Sequence, residues 1–108
     1  MLIEDYERFA VSTDLNNPIE YYFEGLAEEA GEVNGLRKRL VRGDEKTKEE
    51  FRERLIDELG DVFWYIVMLA QKHQIGFGEI TTYNMDKLSK RQKDGTLRGQ
   101  NRVEEKTG

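Results

Sequence analysis

Two acidic patterns in this 108-residue chain have the residue types and spacing for metal-assisted chemistry. The first is Glu28-Glu29-Ala30-Gly31-Glu32 and the second is Asp57-Glu58-Leu59-Gly60-Asp61. Each holds two carboxylates three residues apart, with a glycine just before the second. On a helix turning about 100° per residue, Glu29 and Glu32 lie about 60° apart on one face, as do Glu58 and Asp61. If the two helices pack antiparallel through the apolar stripes beside these pairs, four carboxylates meet. Four such groups repel one another and raise each other's pKa unless a cation intervenes. Oxygen ligands without nitrogen or sulfur select Mg²⁺, with Mn²⁺ as a substitute.

Several other chemistries are excluded. The chain has no cysteine, so disulfides, thiolate nucleophiles and zinc–thiolate sites are out. Its one histidine, His73, cannot build a multi-histidine centre, and no Glu-x-x-His pair of the di-iron type is present. His73 follows Asp61 by about three helical turns and reads as a structural or surface residue. The acids lie within helical patterns, unlike those of a calcium-binding EF-hand loop. Arg42-Gly43-Asp44 reads as a helix ending and turn.

A second group of polar residues lies downstream. Asn84, Lys87 and Arg91 follow i, i+3, i+7 spacing on the face that also carries Ile80 and Leu88, so they are expected to point toward the body of the protein. An amide, an ammonium and a guanidinium so placed suit a polyphosphate. Aromatic candidates for stacking on a base are Tyr6, Phe9, Tyr22, Trp64 and Tyr65, although their spacing also fits core positions.

The elements that must position these groups are helical. Apolar spacing is helical nearly throughout, and strand-like alternation is absent. A first helix is expected over about 3–13. A second begins at Pro18, with Asn16-Asn17 as its cap and proline at its first position, and runs to about Val41. Thr47 and Glu50 form a capping-box pattern that opens a third helix ending near Gln74. A fourth is expected over about 79–93. Gly31, Gly35 and Gly60 sit inside helices, where each costs about 1 kcal/mol relative to alanine, and so suggest close backbone approach. The segment Val62 to Ala70 is apolar all round and must be buried on all sides. A chain this short is expected to cover it by pairing with a second copy, with Trp64 or Met68 at a subunit or ligand contact.

The expected architecture is all-α: a bundle of about four helices over 1–94, its core completed by dimerisation, followed by a polar, mobile tail over 95–108. The chain holds 17 basic and 22 acidic side chains, a formal charge of −5. Residues 87–108 carry a net +4 and the first 86 residues −9. An acidic body with a basic end argues against nucleic-acid binding. No apolar run approaches the roughly 20 residues of a membrane span, and Met1 to Asp5 show no signal-peptide pattern. A soluble cytoplasmic protein is expected.

The combination resembles a known family. Glu29-x-x-Glu32, 25 residues, then Glu58-x-x-Asp61 is similar to the signature of the all-α nucleoside triphosphate pyrophosphohydrolases, the MazG-like group. Asn84-x-x-Lys87-Leu88-x-x-Arg91 resembles that family's last core helix. Asp5-Tyr6-Glu7 through Thr13 and Gly95-Thr96-Leu97-Arg98-Gly99 with Asn101-Arg102 resemble the ends of a small single-domain subgroup. The resemblance implies helical dimers or dimers of dimers that hydrolyse a (deoxy)nucleoside triphosphate to the monophosphate and pyrophosphate. It implies Mg²⁺ bound by Glu29, Glu32, Glu58 and Asp61, and water attack at the α-phosphorus with one of these carboxylates as base. Lys87 and Arg91 would meet phosphates and Asn84 would hydrogen-bond nearby; Glu28 and Asp57 would act behind the ligands. A dUTP-type diphosphatase or a phosphoribosyl-ATP pyrophosphohydrolase is an alternative within phosphate chemistry. A non-catalytic acidic helical oligomer is the alternative of a different class.

Overall fold

The computed structural model describes residues 1–97. Four helices make up its regular structure: α1 (Ile3–Ser12), α2 (Ile19–Arg42), α3 (Lys48–Lys72) and α4 (Phe77–Asp94). No strand occurs among the described residues. The chain divides into two compact units, Met1–Gly76 and a second that begins at Phe77. Residues 98–108, most of the expected tail, lie outside the described residues.

Local chemistry explains where the helices start and stop. The capping box at α3 is present: Glu50 N–H donates to Thr47 Oγ1 at 3.1 Å, and Thr47 N–H donates to Glu50 Oε1 at 2.9 Å. Gly43 ends α2 in the left-handed region (φ 84°), where glycine has no steric cost. The start of α2 differs by one residue from expectation. Pro18 is itself the cap, with extended ψ of 151°, and no side chain caps the helix. Asn16 is instead used in the preceding turn, with φ of 57°. Asparagine adopts that left-handed conformation more readily than most residues.

In the first unit, α2 lies along α3, and α1 packs on α3. The antiparallel sense of α2 and α3 follows from which residues meet: Gly25 lies against Tyr65, and Arg39 reaches Glu58. The core centres on Ala10, Tyr22, Leu36, Val67, Met68 and Ala70. A polar knot ties the three helices together. Asp14, just after α1, accepts hydrogen bonds from the Tyr22 hydroxyl of α2 and from Lys72 Nζ of α3. Lys72 Nζ also lies 4.9 Å from the Tyr22 ring centroid. Burial pushes the Asp14 carboxyl up, but its bonds with Lys72, Tyr22 and the Asn16 backbone outweigh that and hold it below its usual range.

Two expectations are corrected here. Met68 is enclosed within its own chain, so no second copy is needed to cover it. The α1 side of the chain also packs against this apolar segment. Trp64 Nε1–H donates to Thr13 Oγ1 at 2.8 Å, and the Tyr6 and Phe63 rings stand 5.3 Å apart. Of Val62 to Ala70, only Val67, Met68 and Ala70 are fully buried, and the other six are half-buried. The second correction concerns glycine. A Cβ built at Gly31, Gly35 or Gly60 would meet nothing within 4 Å, so none of them marks a close approach within the chain.

Described by itself, α4 contains no buried residue. Ile80, Tyr83, Met85 and Leu88 are all exposed. The face bearing Asn84, Lys87 and Arg91 is exposed on α4.

Candidate metal centre

The middle turns of α2 and α3 face each other at their acidic patterns. Glu29 comes from α2, and Glu58 and Asp61 from α3. One carboxylate oxygen from each can be chosen so that all three lie within 4.8 Å of one another. Glu29 and Glu58 are half-buried and Asp61 is exposed, so the cluster has a protected floor and an open mouth. Glu32, the fourth expected ligand, lies outside this closest trio but one turn along the same face of α2. Its charge acts on both Glu29 and Glu58.

Electrostatics follow from this crowding. Burial raises the Glu29 carboxyl above its usual value, and the charges of Asp61, Glu58, Glu28 and Glu32 raise it further. Burial raises Glu58 too, joined by Glu32, Asp61 and Asp57, while Arg39 opposes them. Such a site is under-charged for the anions it holds, and a divalent cation is the group that relieves it. The donor set fits Mg²⁺ or Mn²⁺, since three carboxylates from two rigid helices offer hard oxygens and no competing soft ligand.

The neighbouring residues form two flanks. On one side Tyr65, four residues after Asp61, fills the notch left by Gly25, four residues before Glu29. A Cβ at residue 25 would lie 2.2 Å from Tyr65 Cε1. A hydrogen bond with Tyr21 raises the Tyr65 hydroxyl well above its usual range, with burial and the charges of Glu29 and Glu28 adding to it. Tyr6 is likewise raised by burial and by the Asp61 carboxylate. On the other side Arg39 Nη2 lies 3.7 Å from Glu58 Oε2.

Sequence reasoning missed Arg39 and its buried partner Glu45. A signal existed for Arg39, which stands seven residues after Glu32 on the same helical face. None existed for Glu45, an acid in a charged loop whose burial depends on how α2 meets α3. Among the stacking candidates, Tyr22 is fully buried and Phe9 is exposed. Tyr6, Trp64 and Tyr65 are half-buried. His73 Nδ1–H donates to the Leu69 carbonyl at 2.8 Å, within its own helix. Asn84, Lys87 and Arg91 are all exposed on α4.

Comparison with known proteins places this geometry. The family model described as MazG nucleotide pyrophosphohydrolase domain matches residues 18–96. The chain belongs to the MazG nucleotide pyrophosphohydrolase family. The match takes in α2, α3 and α4, and hence both acidic pairs and the Asn84, Lys87, Arg91 face, but leaves out α1. A protein described as "Gene 37 protein" of Mycobacterium phage L5 is 35% identical over 82 residues, covering 75% of this chain and 72% of that protein. No solved structure matches the chain significantly. Among the described residues, no helix of this MazG chain is long and apolar enough to cross a membrane.

Proposed function

We propose that this MazG protein is a divalent-metal-dependent nucleoside triphosphate pyrophosphohydrolase, releasing the monophosphate and pyrophosphate. The observation that carries the reading is the convergence of Glu29, Glu58 and Asp61 from two helices, with an oxygen of each within 4.8 Å of the others. These three, with Glu32 beside them, would hold Mg²⁺. When bound there, the ion neutralises phosphate charge and acidifies water, the two things hydrolysis of a phosphoanhydride needs most.

The chain's own groups have distinct tasks. The carboxylates bind the ion, and one of them accepts the proton of the attacking water. Lys87 and Arg91 meet the charge that builds on departing pyrophosphate, and Asn84 donates a hydrogen bond to the substrate. The half-buried Tyr65 and Tyr6 stand near enough to the cluster for its carboxylate charges to act on both hydroxyls. A homodimer or a dimer of dimers is part of the proposal. It is supported by Leu40, Val41, Ile56 and Leu59, four large apolar side chains of α2 and α3 that stand exposed in the single chain.

The test is a screen of canonical and modified nucleoside triphosphates with Mg²⁺, with products separated and identified. Monophosphate and pyrophosphate in equal amounts are expected, with no free phosphate. Glu58→Gln should lower turnover by roughly a hundredfold or more, since even partners behind the metal ligands cost 10–100-fold, and should leave the helical spectrum intact. Unchanged turnover in Glu58→Gln would remove the carboxylate mechanism and favour a non-catalytic acidic oligomer.

A further inference from the structure

A buried acid outside the carboxylate cluster is linked to it through one arginine. Glu45 lies in the connection between α2 and α3 with its side chain only 2% exposed. Both its carboxylate oxygens are enclosed and make no hydrogen bond among the described residues. Its charge is met by two guanidinium groups, Arg54 Nε at 3.4 Å and Arg39 Nε at 4.0 Å. Arg54 is mostly in water, with its side chain 59% exposed, whereas that of Arg39 is 27% exposed. The less screened of the two partners is therefore Arg39. The same guanidinium reaches Glu58 through Nη2, 3.7 Å from Oε2.

One cation is thus shared between a fixed, buried acid and an acid of the cluster. The sharing is loose. Arg39 Nε is buried and makes no hydrogen bond among the described residues, and both ion pairs are longer than a charge-assisted hydrogen bond of about 2.7–2.9 Å. Moving the guanidinium from one acid toward the other therefore breaks no hydrogen bond at Nε. Nor does it strand a charge, because Glu45 keeps Arg54, 3.4 Å away; a buried carboxylate left with no partner is what makes breaking an ion pair costly.

On the reading that the cluster holds a divalent cation, we propose that Arg39 is the resident counter-cation of Glu58. It balances Glu58 while no metal is bound, the incoming ion displaces it, and Glu45 retains the displaced guanidinium. Arg39 and Glu45 are positioning residues in this scheme, since neither ligates the ion. Two consequences have opposite sign. Removing the positive charge of Arg39 removes a competitor for Glu58 and tightens metal binding. Removing the negative charge of Glu45 leaves Glu58 as the main partner of Arg39 and weakens it.

The experiment is titration of the full-length protein with Mn²⁺ in the absence of nucleotide, with free Mn²⁺ followed by its electron paramagnetic resonance signal. Arg39→Gln should bind Mn²⁺ about tenfold more tightly, or about 1.4 kcal/mol. Glu45→Gln should bind several-fold more weakly, and Arg39→Lys, which keeps the charge, should stay close to the original protein. Equal or weaker binding by Arg39→Gln overturns the proposal. Should Arg39→Gln fail to fold because Glu45 is stranded, the double variant Arg39→Gln/Glu45→Gln removes both charges. It should then bind more tightly than Glu45→Gln alone, and equality between those two overturns the proposal as well. The controls separate this from the wider reading. Absent Mn²⁺ binding in the unaltered chain, or binding indifferent to Glu29→Gln, would dispose of the metal centre and of this role for Arg39 with it. Intact binding that ignores residue 39 would dispose of the role alone.

Discussion

Tyr65 occupies the space that a side chain at Gly25 would need: a Cβ there would fall 2.2 Å from Tyr65 Cε1 and 2.8 Å from its hydroxyl oxygen. The pair seals α2 against α3 one turn from Glu29 and Asp61. Gly25→Ala brings two opposed effects. Alanine gains about 1 kcal/mol over glycine inside a helix, while forcing a ring out of a packed position costs typically 1–3 kcal/mol. The edge-to-face contact of Tyr65 with Trp64, 4.9 Å between ring centroids, is lost if the ring moves, so the cost should win. Gly25→Ala should lower stability by roughly 1–2 kcal/mol in urea unfolding. In a Tyr65→Ala background the clash is gone, and the same substitution should stabilise by about 1 kcal/mol. The reversal of sign is the check.

Gly31 and Gly60 make the contrasting case. Both lie inside helices, are exposed, and have open space where a Cβ would stand. Gly31→Ala and Gly60→Ala should each raise stability by up to about 1 kcal/mol, through helix propensity and a less flexible unfolded chain. Thermal unfolding of the two single variants tests this. A loss of stability would show instead that a second copy of the chain packs its backbone against these positions.

Asp14 contributes to the acid limb of the stability profile. Its carboxyl is held below its ordinary value of 3.8 in the folded chain by Lys72, Tyr22 and the Asn16 backbone, against the upward push of burial. A depressed folded pKa means that the unfolded chain binds the proton more readily. The stabilisation is therefore complete above the ordinary value and drains away as pH falls through the folded one. Asp14→Asn should lower the melting temperature at neutral pH and flatten its decline between about pH 5 and pH 2. If the two proteins decline in parallel over that range, the knot between α1, α2 and α3 is not tuned by this carboxylate.

Much of this architecture was legible in the residues. Helical periodicity located four helices to within a few residues, because a 3.6-residue repeat and its caps are properties of neighbouring residues. The Thr47 and Glu50 box is local in the same sense. The same-face pairing of Glu29 with Glu32, and of Glu58 with Asp61, follows from helix geometry alone.

What the sequence by itself determined, then, was everything within one helix: its span, its faces and which acids share a face. The tertiary structure decided everything that depends on how one helix is set along another. Only the register of α2 on α3 brings Glu29 to Glu58 and Asp61 while leaving Glu32 one turn aside. The same register makes Gly25, and not Gly31 or Gly60, the close contact, and puts Glu45 under Arg39. The apolar run of α3 shows the limit most plainly. Its composition demands burial, but composition carries no record of what does the covering, and Met68 is enclosed within a chain whose α1 and α2 both pack on α3. Periodicity fixes angles about a single axis; contact between axes is set by long-range packing, which no local spacing encodes.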